Sequence, residues 1–237
     1  MSTFVLVHGA WHGSWCWDRV VPHLHAAGHR TVVPTLTGLG ERASELTPEV
    51  GLSVHVDDIV AVLSEATEPV VLVGHSYSGL VVRQAADQLP DAVERLALVD
   101  AWFGDDGVSL FDLAPDWFRE AMEDMAAAGG DGWRIPPPPA ETVGVTEPAD
   151  QAWVEPRLTP QPILTFIEPT RLTGAVDSVP TSAIVVEPSA FPFRQLAAGA
   201  GLEPAALDTG HDLMVTAPQA LATLLMTPEE GRRHERL

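Results

Sequence analysis

The sequence predicts an α/β fold: a mostly parallel sheet of about six strands, flanked by helices and interrupted by a helical insertion. Three observations predict it. Short, β-rich apolar runs alternate with longer segments of helical period, the pattern of strands joined by crossover helices. One run, Pro69–Val73, is apolar on both faces, as a strand covered on both sides has to be. The alternation stops once, from Ala101 to about Gly174, and then resumes.

Thr3–Val7 reads as the first strand and Thr31–Pro34 as the second, with Trp17–Ala27 between them as a helix closed by Gly28. A turn-rich loop from Pro34 to Gly40 leads to Val54–Ala66, where Val56, Ile59, Val60 and Leu63 share a helical face. Pro69–Val73 is the buried strand, Gly79–Gln88 a helix stopped by Pro90, and Arg95–Val99 another strand. Ala183–Val186, Pro204–Asp208 and the helix Pro218–Met226 complete the pattern, and Thr227–Leu237 reads as a polar tail. Between them lie four consecutive prolines at 136–139 and many aromatics, including Trp102, Phe103, Phe111, Trp117, Phe118, Trp133, Trp153 and Phe166. Aromatics in that number need a surface to cover. The expected organisation is therefore a core of residues 1–100 and 175–237 with a mostly helical cap, 101–174, over the C-terminal edge of the sheet.

Bulk properties narrow the function. A chain of 237 residues, 46% hydrophobic, suits one large domain with an insertion. Its net charge of −20 repels nucleic acid and anionic lipid, so neither is expected as a partner. All basic side chains are arginine, and the lack of lysine excludes Schiff-base chemistry and a lysine general base. A single cysteine, Cys16, excludes an internal disulfide and a Cys-rich zinc site. No histidine pair has metal-ligand spacing, and neither metal nor cofactor is expected. No apolar stretch reaches the ~18–20 residues of a membrane span and no signal peptide is evident, so the expected setting is cytoplasmic. Assembly stays open between monomer and homodimer.

The strongest local signal is Val70-Val71-Leu72-Val73-Gly74-His75-Ser76-Tyr77-Ser78-Gly79-Leu80, which runs strand, tight turn, helix with a serine at the apex. That is the context of a nucleophile elbow, where a strained turn projects the hydroxyl from the sheet edge. Small residues are needed two before and two after; Gly74 meets the need, and Ser78 stands where a second glycine is usual. A base has to reach Ser76. His211, in Thr209-Gly210-His211-Asp212, lies between the last strand and last helix, after the serine in chain order. His23, His25, His29, His55 and His234 are expected at the surface; His75 points away from the serine. After the first strand, His8-Gly9-Ala10-Trp11 forms a glycine turn, which makes the backbone N–H groups of Ala10 and Tyr77 the expected oxyanion donors. His8 is expected to brace that turn.

These residues resemble the small α/β hydrolases near the plant methylesterases and hydroxynitrile lyases. The resemblance rests on Phe4-Val5-Leu6-Val7-His8-Gly9-Ala10-Trp11-His12-Gly13-Ser14-Trp15-Cys16-Trp17, on Pro34 to Arg42, on Gly74 to Gly79 and on Gly210-His211-Asp212. It implies the α/β-hydrolase fold, with a sheet lacking the first two strands of larger relatives. It also implies a triad aspartate just after Ala183–Val186, where this sequence reads Glu187-Pro188-Ser189-Ala190-Phe191 instead. Two carboxylates remain as replacements: Glu187 in place, and Asp100 one strand earlier, the preferred one because some lipases resemble that arrangement. Asp212, Asp208 and Asp177 are weaker, Asp212 because it adjoins the histidine it would have to bond.

The lyases of that group are associated with a lysine beside the histidine; here Asp212 follows it, so cyanide release is disfavoured. Hydrolysis of a small or medium apolar carboxylic ester, methyl or aryl, through a Ser76 acyl-enzyme is the leading expectation. Trp11, Trp15, Phe103 and Trp117 are the expected substrate contacts. The alternative is a non-hydrolytic member: a cofactor-free lyase or cyclase on a secondary metabolite, or a small-molecule binder. Whether a carboxylate backs His211 discriminates between them.

Overall fold

Side-chain alternation along the strands sets the layers. The structure, a computed structural model, describes residues 1–227, so His234 and all of the tail after Thr227 lie outside the described residues. The chain runs through β1 (Thr3–Val7), α1 (Val21–Ala26), β2 (Arg30–Val32), α2 (Leu52–Ser64), β3 (Val70–His75), α3 (Ser78–Gln88) and β4 (Val93–Val99). After the insertion come β7 (Thr181–Val186), α8 (Phe193–Gly199), β8 (Ala205–Leu207), α9 (Leu213–Thr216) and α10 (Pro218–Met226). Six strands form one all-parallel sheet in the order β2-β1-β3-β4-β7-β8. Val5, Val7, Leu72, Leu96 and Leu98 face α2 and α3, packing on Ile59 and Val81. Phe4, Leu6, Val71, Val73 and Val99 face α1 and α10, packing on Leu24 and Leu221.

That strand order places the site. The chain steps from β1 outward to β2, then returns past β1 to β3. The connections after β1 and β3 therefore diverge, opening a crevice at their C-terminal ends, where open α/β sheets bind ligands.

Between β4 and β7 the chain forms α4 (Leu110–Leu113), α5 (Asp116–Gly129), α6 (Pro148–Val154) and α7 (Leu164–Ile167). Ser109 starts α4 with a reciprocal capping box to Asp112. The insertion also holds an antiparallel ribbon, β5 (Arg134–Ile135) with β6 (Gln161–Pro162), too short to leave a period-two pattern. Two sequence expectations need correction. The helix expected over Trp17–Ala27 is a 3₁₀ turn at Ser14–Trp17 and a separate α1, because Pro22 has no N–H to continue a helix and starts one instead. His55, expected at the surface, is fully buried inside α2. Among the described residues, no helix is long and apolar enough to cross a membrane.

Candidate active site

Among the described residues, three of the four non-glycine positions with left-handed backbone meet at the crevice: Trp11 (φ 64°), Ser76 (φ 54°) and Asp100 (φ 43°). Strain of this kind persists only where surrounding structure over-determines it, and it concentrates at functional sites. Ser76 follows β3 directly, and its N–H donates to Val99 O (3.1 Å). The turn is tight enough that a Cβ on Gly74 would come 2.6 Å from Val82, and one on Gly79 would come 2.3 Å from Trp102 O. Ser78 is accommodated because its hydroxyl lies 3.0 Å from Val7 O and 2.9 Å from His75 O, so it ties the elbow to the end of β1.

His211 joins Ser76 to Asp100. Its Nε2 lies 2.9 Å from Ser76 Oγ and its Nδ1 2.6 Å from Asp100 Oδ2. Asp100 is fully buried at the end of β4, and its other oxygen accepts from Val186 N–H (3.0 Å) on the neighbouring strand. Glu187 is not part of this chain; its carboxylate pairs with Arg194 at the surface. Asp212, next to His211, bonds His12 instead. A carboxylate on Nδ1 fixes the tautomer that leaves Nε2 free to take the serine proton.

The N–H groups of Ala10 and Tyr77, the expected oxyanion donors, find no acceptor among the described residues. The residue after Ala10, Trp11, is fixed by the insertion on three sides. Trp11 N–H donates to Gln161 Oε1 (3.1 Å), its indole N–H to Ile135 O (3.1 Å), and its carbonyl accepts from Thr159 N–H (2.9 Å). His8 braces the turn from below, accepting from Leu36 N–H and donating to Gly9 O; burial drives its pKa down to about 3, so it stays neutral. His55 fixes the other side: it donates to Thr37 O (2.8 Å) and accepts from the Tyr77 hydroxyl (3.0 Å), with burial lowering its pKa to about 4.

The four expected substrate contacts separate. Trp11 lines the cavity at Ser76 and meets Phe166 of α7 edge-on. Trp117 is about half exposed and stacks on Phe191, whose ring centre is 5.9 Å from that of His211. Trp15 lies away from the cavity, stacked on His12 and edge-on to Trp153. Phe103 is a core residue, buried against Arg83. Sequence reading missed Phe191 and Phe193; the latter stacks parallel on the His211 ring at 5.7 Å. Their signal was position alone, just after the strand whose end lacks an aspartate. The buried Cys16 thiol has its pKa pushed up by burial and takes no part. Among the described residues, no group of three His, Cys, Asp or Glu side chains is placed to hold a metal.

The histidine loop is pinned by backbone contact. Asp212 N–H donates to Val143 O of the insertion, and a Cβ on Gly210 would sit 2.3 Å from Gly144 O. Gly210→Ala is therefore expected to displace His211 by part of an ångström. Steady-state kinetics are expected to show kcat reduced up to about 10²-fold, the cost of a misplaced catalytic group.

A serine on a strained elbow, an imidazole backed by a buried carboxylate and two free N–H donors define a serine hydrolase on a parallel α/β sheet. Comparison with known proteins agrees. Residues 4–224 match the alpha/beta hydrolase family, and the chain belongs to that family. It is 35% identical over 240 residues to a carbendazim hydrolyzing esterase of Nocardioides sp. (strain SG-4G), covering 95% of this chain and 98% of that one. It is 37% identical to methylesterase 2 of Arabidopsis thaliana over 105 residues, 43% of this chain and 40% of that one. Among solved structures, an extracellular alpha/beta-hydrolase from a Paenibacillus species superposes with a TM-score of 0.86 at 22% identity, covering 97% of this chain and all of that one. Two of these relatives are esterases by name.

Proposed function

We propose that this protein hydrolyses small or medium apolar carboxylic esters, of methyl or aryl type, through an acyl-enzyme on Ser76. The observation that carries the reading is the continuous chain Ser76 Oγ, His211 Nε2, His211 Nδ1, Asp100 Oδ2. Ser76 Oγ attacks the ester carbonyl while His211 takes its proton. The oxyanion rests on the N–H groups of Ala10 and Tyr77, and the Asp100 carboxylate stabilises the imidazolium. His211 returns the proton to the leaving alcohol, then activates water to release the acid and regenerate Ser76.

The apolar preference is supported by the rings around the base: Phe191 and Phe193 against His211, and Phe166 between Trp11 and Tyr77. The cavity beside Ser76 measures only about 10 Å³, too little for an acyl group, so substrate entry has to move neighbouring side chains. An apolar group replaces those contacts at little cost, whereas a charged one loses its hydration without a partner. The carboxylate on His211 favours hydrolysis over the non-hydrolytic alternative.

The test is fluorophosphonate labelling read by intact mass, beside a panel of methyl and aryl esters with neutral or carboxylated acyl groups. Labelling at Ser76, with neutral esters turned over at least 10-fold better in kcat/KM than carboxylated ones, is the expected result. A folded protein that labels but prefers the carboxylated esters overturns the apolar preference; one that neither labels nor turns over any ester overturns the hydrolase mechanism.

A further inference from the structure

Beside the oxyanion turn lies a buried polar cluster whose side chains the ester reaction above does not use. Asp212 is fully buried, and its Oδ2 accepts from His12 Nε2 at 3.0 Å. His12 is buried as well, with Nδ1 2.7 Å from Ala10 O. Carbonyl and carboxylate oxygens can only accept, so both ring nitrogens of His12 carry protons and the ring is an imidazolium. Burial opposes that charge, but the Asp212 carboxylate and the Ala10 carbonyl outweigh it and raise the His12 pKa; Asp212 is correspondingly lowered by His12 against its own burial. His75 completes the cluster. Its Nε2–H donates to His211 O (2.9 Å), and burial keeps the ring neutral, so its Nδ1 carries a lone pair.

Two buried atoms of this cluster, His75 Nδ1 and Asp212 Oδ1, have no hydrogen-bond partner among the described residues. Both are acceptors, so neither can satisfy the other. Both residues line the cavity of about 10 Å³ at Ser76, together with Ala10, His12, Ser76 and His211. That volume fits one water, and a polar cavity with two or more partners is where buried water is held. Water is also the small molecule that brings two donors at once.

We propose that His75, Asp212 and His12 build a one-water site beside the oxyanion turn, and that Asp212 and His12 are positioning residues for Ala10 and His211. The bound water donates to His75 Nδ1 and to Asp212 Oδ1. His75 grips the carbonyl of His211, Asp212 is the next residue along, and His12 grips the carbonyl of Ala10. The cluster thus couples the base loop to the oxyanion turn. It rests on the serine-hydrolase reading for its catalytic consequence, though not for the water itself.

A high-resolution crystal structure of the wild type is expected to show an ordered water within hydrogen-bond distance of both atoms. Asp212→Asn is expected to lower kcat about 10- to 100-fold with KM within about twofold, and to slow fluorophosphonate labelling by the same factor. His12→Gln, which keeps a donor for Asp212, is expected to retain more activity than His12→Ala at equal melting temperature. Two results overturn the proposal: clear density in which neither atom meets a water, or Asp212→Asn and His12→Ala proteins with wild-type kcat and labelling rate. If Asp212→Asn does not fold, the wild-type density and the His12 pair decide. A wild type that binds the water but neither labels nor turns over esters contradicts the hydrolase mechanism and leaves the water site standing.

Discussion

Asp100→Asn is expected to lower kcat by about 10⁴-fold while leaving KM close to that of the wild type. The carboxylate is buried, accepts from His211 Nδ1 at 2.6 Å and is itself oriented by Val186 N–H. An amide fits the same space but presents either an N–H, which forces the wrong tautomer on His211, or a neutral oxygen, which stabilises the imidazolium far less. Ground-state binding does not involve that oxygen, so the loss falls on kcat. Glu187→Gln is the matched control: its carboxylate faces Arg194 and solvent, so kcat is expected within about twofold of wild type, as exposed ion pairs contribute little. Initial rates on one aryl ester measure both. Equal losses at the two positions, or a larger loss at Glu187, overturn the assignment of Asp100.

Ser76→Ala carries the largest expected effect, a fall in kcat of up to about 10⁶-fold and loss of the fluorophosphonate adduct. The change removes one oxygen at a position of strained backbone and leaves the core untouched, so the fold is expected to survive. Ala10 and Tyr77 still offer two N–H donors to a carbonyl, and rates some 10³-fold above the uncatalysed reaction are the expected residue. A variant that keeps more than about 1% of turnover implies a nucleophile other than Ser76.

Much of this was legible before the structure. The strands announced themselves because a doubly covered sheet demands unbroken apolar runs, and all six predicted strands are present in one parallel sheet. Ser76 and His211 were visible because the elbow and the last loop are local motifs with fixed chemistry. Asp100 was harder, since its meeting with His211 spans 111 residues and no local pattern records it. It was reached from the gap after β7. His55 was misjudged because a histidine in an amphipathic helix looks the same whether it faces water or, as here, the hydroxyl of Tyr77. Trp15 and Phe103 show the same limit: an aromatic near a site in sequence can serve the core. The pairing of His12 with Asp212 across 200 residues left no sequence signal beyond two polar residues beside motifs.

The placement of Asp100 on β4 has a consequence for divergence. The reacting groups arise from the ends of β1, β3 and β4 and from the loop after β8, while β7 contributes only the Val186 amide that steadies Asp100. The segment from Glu187 to Pro192 is thereby released from catalytic duty. Drift or loop grafting can rewrite it without dismantling the reactive trio, and Phe191 already reaches His211 from there. Part of the apolar lining and the reactive trio thus sit on separately mutable stretches of one chain, and a library confined to residues 188–192 is expected to change what the enzyme accepts while leaving intact the machinery that cleaves it.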